Sequence, residues 1–255
     1  MCRVEKIRLI RQSLRENRAS VGSWMQIPHS SVAEIMGHAG YDWVAVDMEH
    51  GSIGVNQLPD LFRALESGGT LPLVRLAQGQ TKDCKGALDA GAGGVIVPMV
   101  ESASQLIQVR DACRWPPAGT RGVGFSRANL FGKNFDAYTE EAQAPLLVAM
   151  IEHVKAVENL PEILQVSGLD AVMVGPYDLS ASMGLTAQFD APVFVETMER
   201  IRTLCAGQGI PYGLHVVMPE PATLEQRISE GYLFIAYSID AVFLNRSVQY
   251  ANSRG

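Results

Sequence analysis

Lysine is scarce in this chain: Lys6, Lys82, Lys85, Lys133 and Lys155 are the whole set. None closes an apolar strand-like run, where burial would lower its pKa and make it nucleophilic, so the pattern argues against covalent imine chemistry. Cysteine is equally sparse. Cys2, Cys84, Cys113 and Cys205 form no C-x-x-C pair and keep no short spacing to histidine, which argues against a structural zinc site and for reduced packing residues. Positive charge is in deficit, with a net charge of -6, which disfavours a nucleic-acid surface or polybasic membrane attachment and leaves a small molecule as the expected partner. No apolar run approaches membrane-spanning length. There is no G-x-S-x-G elbow, and Gly91-Ala92-Gly93-Gly94 precedes a strand pattern instead of following one, which makes a dinucleotide fold the weaker reading.

What is present is a 255-residue chain, 47% hydrophobic, long enough to bury one large core, and no linker or repeat divides it. We therefore expect one domain over residues 1–255. Met1 to Arg18 places Val4, Ile7 and Leu14 at helical spacing among arginines, which predicts an amphipathic leading helix, not a secretory signal, and a cytoplasmic protein. Eight short apolar runs follow: Ser20 to Met25, Trp43 to Asp47, Leu71 to Arg75, Gly94 to Val97, Leu146 to Glu152, Ala171 to Gly175, Tyr212 to Val216 and Leu233 to Ser238. Helical patterns such as Leu58 to Leu65 and Pro192 to Cys205 lie between them. That alternation predicts a (β/α)8 TIM barrel. A long connection, Trp115 to Pro145, is punctuated by Pro116, Pro117, Gly119, Gly122 and Gly124, and long connections often carry function.

Barrel enzymes mount chemistry at the C-terminal ends of their strands. Those ends carry Trp24, then Asp47, Glu49 and His50, then Arg75, then Glu152 and His153, then Asp178. Glu152 and Asp178 follow adjacent apolar runs and are two hard oxygen donors suited to Mg²⁺, Mn²⁺ or a similar ion, with substrate and water completing the shell. Arg75 ends an apolar run where a lone charge is costly, so it either grips an anion or forms a structural ion pair. His50, three residues after Asp47, is either an oriented general base or a loop histidine. Glu49 reads as structural. His29 and His215 stand near the mouth and read as loop residues or substrate contacts, His38 reads as structural, and His153 carries no assigned role.

Taken in order, Gly22-Ser23-Trp24, Asp47-Met48-Glu49-His50-Gly51, Leu88-Asp89-Ala90-Gly91-Ala92, Trp115 to Gly122, Ile151-Glu152 and Gly175-Pro176-Tyr177-Asp178 resemble the HpcH/HpaI family of class II, metal-dependent pyruvate aldolases. The resemblance runs from about Val21 to Asp240. It implies a barrel of the phosphoenolpyruvate/pyruvate type whose last helix is exchanged between subunits, assembled as a hexamer of three dimers. It also implies reversible cleavage of a 2-keto-4-hydroxy acid, such as a 2-keto-3-deoxy sugar acid, to pyruvate and an aldehyde through an enolate held on a divalent ion (Mg²⁺, Mn²⁺ or Co²⁺). On that pattern Glu152 and Asp178 hold the ion and Arg75 steadies the enolate. His50 moves protons, oriented by Asp47 and by Asp89 from an adjacent subunit. Gly175, Pro176 and Tyr177 meet the carboxylate, and Trp24 and Leu214 line the aldehyde end. The chain departs from the pattern at Met150, where glutamine is common. Two alternatives stay open: an oxaloacetate decarboxylase resembling macrophomate synthase, and a keto-acid-binding barrel without catalysis.

Overall fold

The computed structural model describes residues 2–248. Every expected apolar run is a strand: β1 Ser20–Met25, β2 Trp43–Asp47, β3 Leu71–Arg75, β4 Gly94–Val97, β5 Leu146–Ile151, β6 Ala171–Val174, β7 Tyr212–Val216 and β8 Phe234–Ile239. Each pairs in parallel with the next, and β8 pairs with β1 to close an eight-stranded barrel. Both faces of such a sheet are covered, so its strands read as continuous apolar runs and not as alternating ones. The helices in chain order are α1 Arg3–Arg15, α2 Ser30–Gly37, α3 Leu58–Ser67, α4 Thr81–Asp89, α5 Ala103–Cys113 and α6 Phe135–Gln143. They continue with α7 Val154–Glu158, α8 Leu160–Ile163, α9 Pro176–Ser182, α10 Pro192–Gln208, α11 Pro221–Ser229 and α12 Asp240–Val248. Among the described residues no helix is long and apolar enough to cross a membrane.

The core has two layers. The outer one fills the space between strands and helices, with Val44, Val46, Val172, Val174, Leu214 and Val216 facing the helical ring. The inner one fills the barrel with Trp24, Trp43, Leu73, Ile96, Val148, Met150, Met173 and Phe234, and it takes in Ile7, Ile10 and Leu14 of α1. The leading helix therefore plugs the end of the barrel where the strands begin. The expected long connection folds around its own small core of Trp115, Ala128, Tyr138 and Ala142.

Aromatic packing sets the inner layer. Trp43 stacks on Phe234 with ring centroids 4.4 Å apart, and Trp24 meets Trp43 edge-on at 6.4 Å. The Trp43 indole N–H is buried without a partner. That costs about 1–3 kcal/mol, whereas burying roughly 150–250 Å² of aromatic surface gains about 4–6 kcal/mol, so packing wins. Gly22 makes the room: a Cβ there would overlap the Trp43 indole. Gly22→Ala should therefore lower stability by about 1–3 kcal/mol, read as a reduced urea midpoint with an unchanged slope. A variant as stable as the parent would show that the ring can move aside.

Candidate active site

The ends of β2 and β3 are in register, Asp47 opposite Arg75. Both side chains are largely withdrawn from water: Asp47 is fully buried and Arg75 nearly so. The guanidinium accordingly donates twice to the carboxylate, from Nε to Oδ1 at 2.8 Å and from Nη2 to Oδ2 at 2.6 Å. The remaining capacity of Asp47 is taken by Gln26 Nε2 at 2.8 Å and by the backbone N–H groups of Glu49 and His50 at 3.1 and 3.2 Å. Gln26 is itself fixed, because Asp240 accepts the backbone N–H groups of Gln26 and Ile27, each at 2.9 Å. Burial opposes ionisation of Asp47, but Arg75, Gln26 and the His50 N–H outweigh it and hold the carboxyl below its ordinary value. The same pairing outweighs burial at Arg75 and keeps its pKa raised.

This geometry corrects one expectation. Asp47 does not orient the His50 imidazole, because Arg75 and Gln26 occupy its oxygens. It orients the turn that carries His50, through the backbone amide. The imidazole is more than half exposed, with Nε2 3.8 Å from Glu49 Oε2. Glu49, read from sequence as structural, faces the site. Its Oε2 lies 3.2 Å from Arg75 Nη1 without hydrogen-bond alignment and is buried with no hydrogen-bond partner.

Glu152 follows β5 directly and is 2% exposed. Its Oε2 accepts the Met99 N–H at 2.9 Å, and Met99 holds a left-handed φ of 47°, a strained conformation for a side-chain-bearing residue. A Cβ at Gly175 would collide with Glu152 Oε1, so glycine at the end of β6 leaves the carboxylate its place. Burial raises the Glu152 pKa to about 7; the Met99 N–H lowers it, Glu49 and Asp178 raise it further, and Arg75 lowers it. Burial likewise raises Glu49, with Asp47 and Asp178 adding to it against Arg75. Three carboxylates thus repel one another across a mouth where Arg75 is already bound to Asp47.

A divalent cation fits this arrangement. The unpaired Glu49 oxygen and the raised Glu152 are both relieved by positive charge placed among them, and hard oxygen donors suit Mg²⁺ or Mn²⁺. Among the described residues no three His, Cys, Asp or Glu side chains stand close enough together to hold an ion alone. Glu152 and Asp178 would hold it with substrate and water completing the shell.

Of the other expected residues, Trp24 lies under Arg75, whose guanidinium is 4.6 Å from the ring centroid. Pro176, Tyr177 and Asp178 form the first turn of α9, with Gly175 as its cap. The Tyr177 ring turns away to pack edge-on against Phe189, at 5.1 Å. Leu214, expected at the aldehyde end, packs in the outer layer, because alternation along β7 turns its side chain towards the helices. The inward position of β7 belongs to His215, whose ring meets Trp24 edge-on at 5.9 Å. Within one chain Asp89 does not approach His50. It ends α4, at the level where β4 begins, and pairs with the buried Arg121 at 3.2 Å. His29 and His153 cap α2 and α7 through Nδ1, and His38 ends α2.

The chain is also similar to known proteins. The HpcH/HpaI aldolase/citrate lyase family pattern matches residues 20–246. The hydroxypyruvate/pyruvate aldolase of Roseobacter denitrificans is 38% identical over 242 residues, covering 92% of this chain and 91% of that protein. The 2-keto-3-deoxy-L-rhamnonate aldolase of Salmonella gallinarum is 34% identical over 241 residues, 93% of this chain and 89% of that one. A crystal structure of an HpcH/HpaI aldolase/citrate lyase family protein from Burkholderia cenocepacia superimposes with a TM-score of 0.88 at 30% identity, over 96% of this chain and 97% of that one.

Two measurements probe the electrostatics. Asp47→Ala leaves Arg75 buried without its partner and should cost about 3–5 kcal/mol in urea unfolding; a loss under about 1 kcal/mol would show that the pair is not buried in solution. Glu152 titrates at 4.5 when unfolded and about 7 when folded. Between those values the folded chain holds a proton that the unfolded chain has released, so this group's stabilisation declines as pH rises and is gone above about 7. In chelator, Glu152→Gln should flatten that part of the Tm profile and be the more stable protein at pH 8. An unaltered slope would place the titration elsewhere.

Proposed function

The chain belongs to the HpcH/HpaI aldolase/citrate lyase family and is a carbon–carbon lyase, and we propose that it cleaves a 2-keto-4-hydroxy acid to pyruvate and an aldehyde with a divalent ion at Glu152 and Asp178. The observation that carries the ion is the buried Glu152, raised to about 7 beside two further carboxylates. When bound, such an ion supplies Lewis acidity towards the keto and carboxylate oxygens of the substrate.

The side chains divide the remaining work. Arg75, fixed by Asp47 and by the Trp24 face, presents its cation where negative charge develops on the C2 oxygen as the C3–C4 bond breaks. His50 takes the proton of the C4 hydroxyl, the C4–O pair becomes the aldehyde carbonyl, and the C3–C4 electron pair passes to C3. Returning that proton to C3 gives pyruvate and leaves His50 as it began. The first turn of α9 offers N–H groups without intrahelical acceptors to the substrate carboxylate. Trp24 closes the floor and keeps water from it.

We also place the working enzyme in a homo-oligomer, a hexamer of three dimers, in the cytoplasm. Val123, Phe125, Leu130 and Phe131 of the long connection and Leu244 of α12 are exposed apolar side chains in keeping with contact between copies. Asp89 from one copy would then serve His50 of another. The four cysteines are all free thiols.

A lactate-dehydrogenase-coupled screen of hydroxy-keto acids with Mg²⁺, Mn²⁺ and Co²⁺ should release pyruvate. Glu152→Ala should abolish that release, by at least about a hundredfold, with an unchanged far-ultraviolet spectrum. Full activity in this variant, or in excess chelator, would overturn the ion assignment.

A further inference from the structure

The scheme above leaves Gln26 without a task, yet among the described residues it is the only side chain besides Arg75 that bonds to Asp47. The two oxygens of that carboxylate are held differently. Oδ1 accepts the Arg75 Nε–H and the backbone N–H groups of Glu49 and His50, so the strand end and its turn fix it. Oδ2 accepts from Arg75 Nη2 at 2.6 Å and from Gln26 Nε2 at 2.8 Å. An ionised carboxylate only accepts, so the Gln26 amide must turn its nitrogen to Asp47. The carboxylate torsion is soft, and with Oδ1 pinned the placing of Oδ2 rests on Gln26 and Arg75.

Gln26 can act as an anchor because its own backbone is held. Asp240, 4% exposed in the first turn of α12, accepts the backbone N–H groups of Gln26 and Ile27, one on each oxygen, both at 2.9 Å. Two residues earlier Ser238 holds a left-handed φ of 57°, where β8 shifts register against β1. Its hydroxyl donates to the Val217 carbonyl at 2.9 Å and its carbonyl accepts the Ser23 hydroxyl at 3.2 Å, so the strained residue that delivers Asp240 is tied on both sides. An unbroken line of bonds thus runs from the end of β8 to Arg75. We propose that Gln26 is a positioning residue: by holding Oδ2 of Asp47 it aims Arg75, whose Nη1 is the nitrogen that Asp47 does not engage and that faces the mouth beside Glu49 Oε2, at 3.2 Å. This rests on the aldolase reading and deepens it.

Gln26→Met keeps the length of the side chain and removes the donor. With Mg²⁺ and a hydroxy-keto acid that the wild type cleaves, it should lower kcat about tenfold while KM stays within about twofold, because the loss falls on charge that develops only in the transition state. Gln26→Glu is the sharper probe. As a neutral acid it still donates to Asp47 and as a carboxylate it repels it, so its rate should be close to that of the wild type at about pH 5 and about tenfold lower at about pH 9. Asp240→Asn sets an amide NH₂ against one of the two backbone N–H groups, and should lower kcat in the wild-type background but not in Gln26→Met, since its effect passes through Gln26. The ¹⁵N-detected Arg75 Nε–H resonance of the Mg²⁺-loaded protein should move between wild type and Gln26→Met. A kcat for Gln26→Met within about twofold of the wild type, a constant ratio of Gln26→Glu to wild type across pH, or additive losses from Gln26→Met and Asp240→Asn overturns the proposal. If Asp240→Asn fails to fold, the two Gln26 variants decide. No pyruvate from the wild type with any hydroxy-keto acid overturns the aldolase reading instead, and the Arg75 resonance then decides Gln26, an unmoved signal overturning its role.

Discussion

The buried pair between Asp47 and Arg75 organises the mouth of this barrel. Burying two charges is affordable only with near-complete hydrogen bonding, and the pair has it: two direct bonds, an amide from Gln26 and two backbone N–H groups. Each added bond fixes something else. The backbone bonds shape the turn bearing Glu49 and His50, and Gln26 ties the end of β1 to the start of α12 through Asp240. Arg75 then lies over Trp24, and Trp24 meets the His215 ring at a steep angle. A single ion pair between adjacent strands thus sets the placement of groups from β1, β2, β3 and β7.

Its electrostatic consequence is asymmetry. Arg75 is hydrogen-bonded to Asp47 and lies 3.2 Å from Glu49, whereas among the described residues no cation is bonded to Glu152, and burial raises both Glu49 and Glu152. The buried carboxylate stands on the β5 side and the directional hydrogen bonding on the β3 side.

Much of this was legible in the sequence, for a physical reason. Strands covered on both faces must be apolar throughout, so the eight runs declared themselves to within about a residue at each end. The positions of Arg75 and Glu152 at strand ends were legible because each follows an unbroken apolar run, while the ion pair that Arg75 makes with Asp47 was one of two readings left open. What stayed hidden depends on facing and on register between distant segments. Leu214 and His215 are neighbours in sequence, and which of them looks inward follows from the pleat, which alternation along Tyr212 to Val216 could have shown. The partner of Asp47 could not be read from the Asp47-to-His50 spacing, since the group that claims it lies on the next strand. Glu49 was set aside because the expected ligands lay elsewhere in sequence, whereas in space its carboxylate lies 3.2 Å from Arg75 and raises the pKa of Glu152.

The plug formed by α1 bears on how this chain comes to be made. Ile7, Ile10 and Leu14 are synthesised before the surface that buries them, which includes Leu146, Phe234 and Ala236. The helix must wait, apolar face uncovered, until β8 has met β1. Its docking is thereby a latch on completed closure, and a truncated or stalled chain advertises its own incompleteness by the greasy stripe left bare on α1.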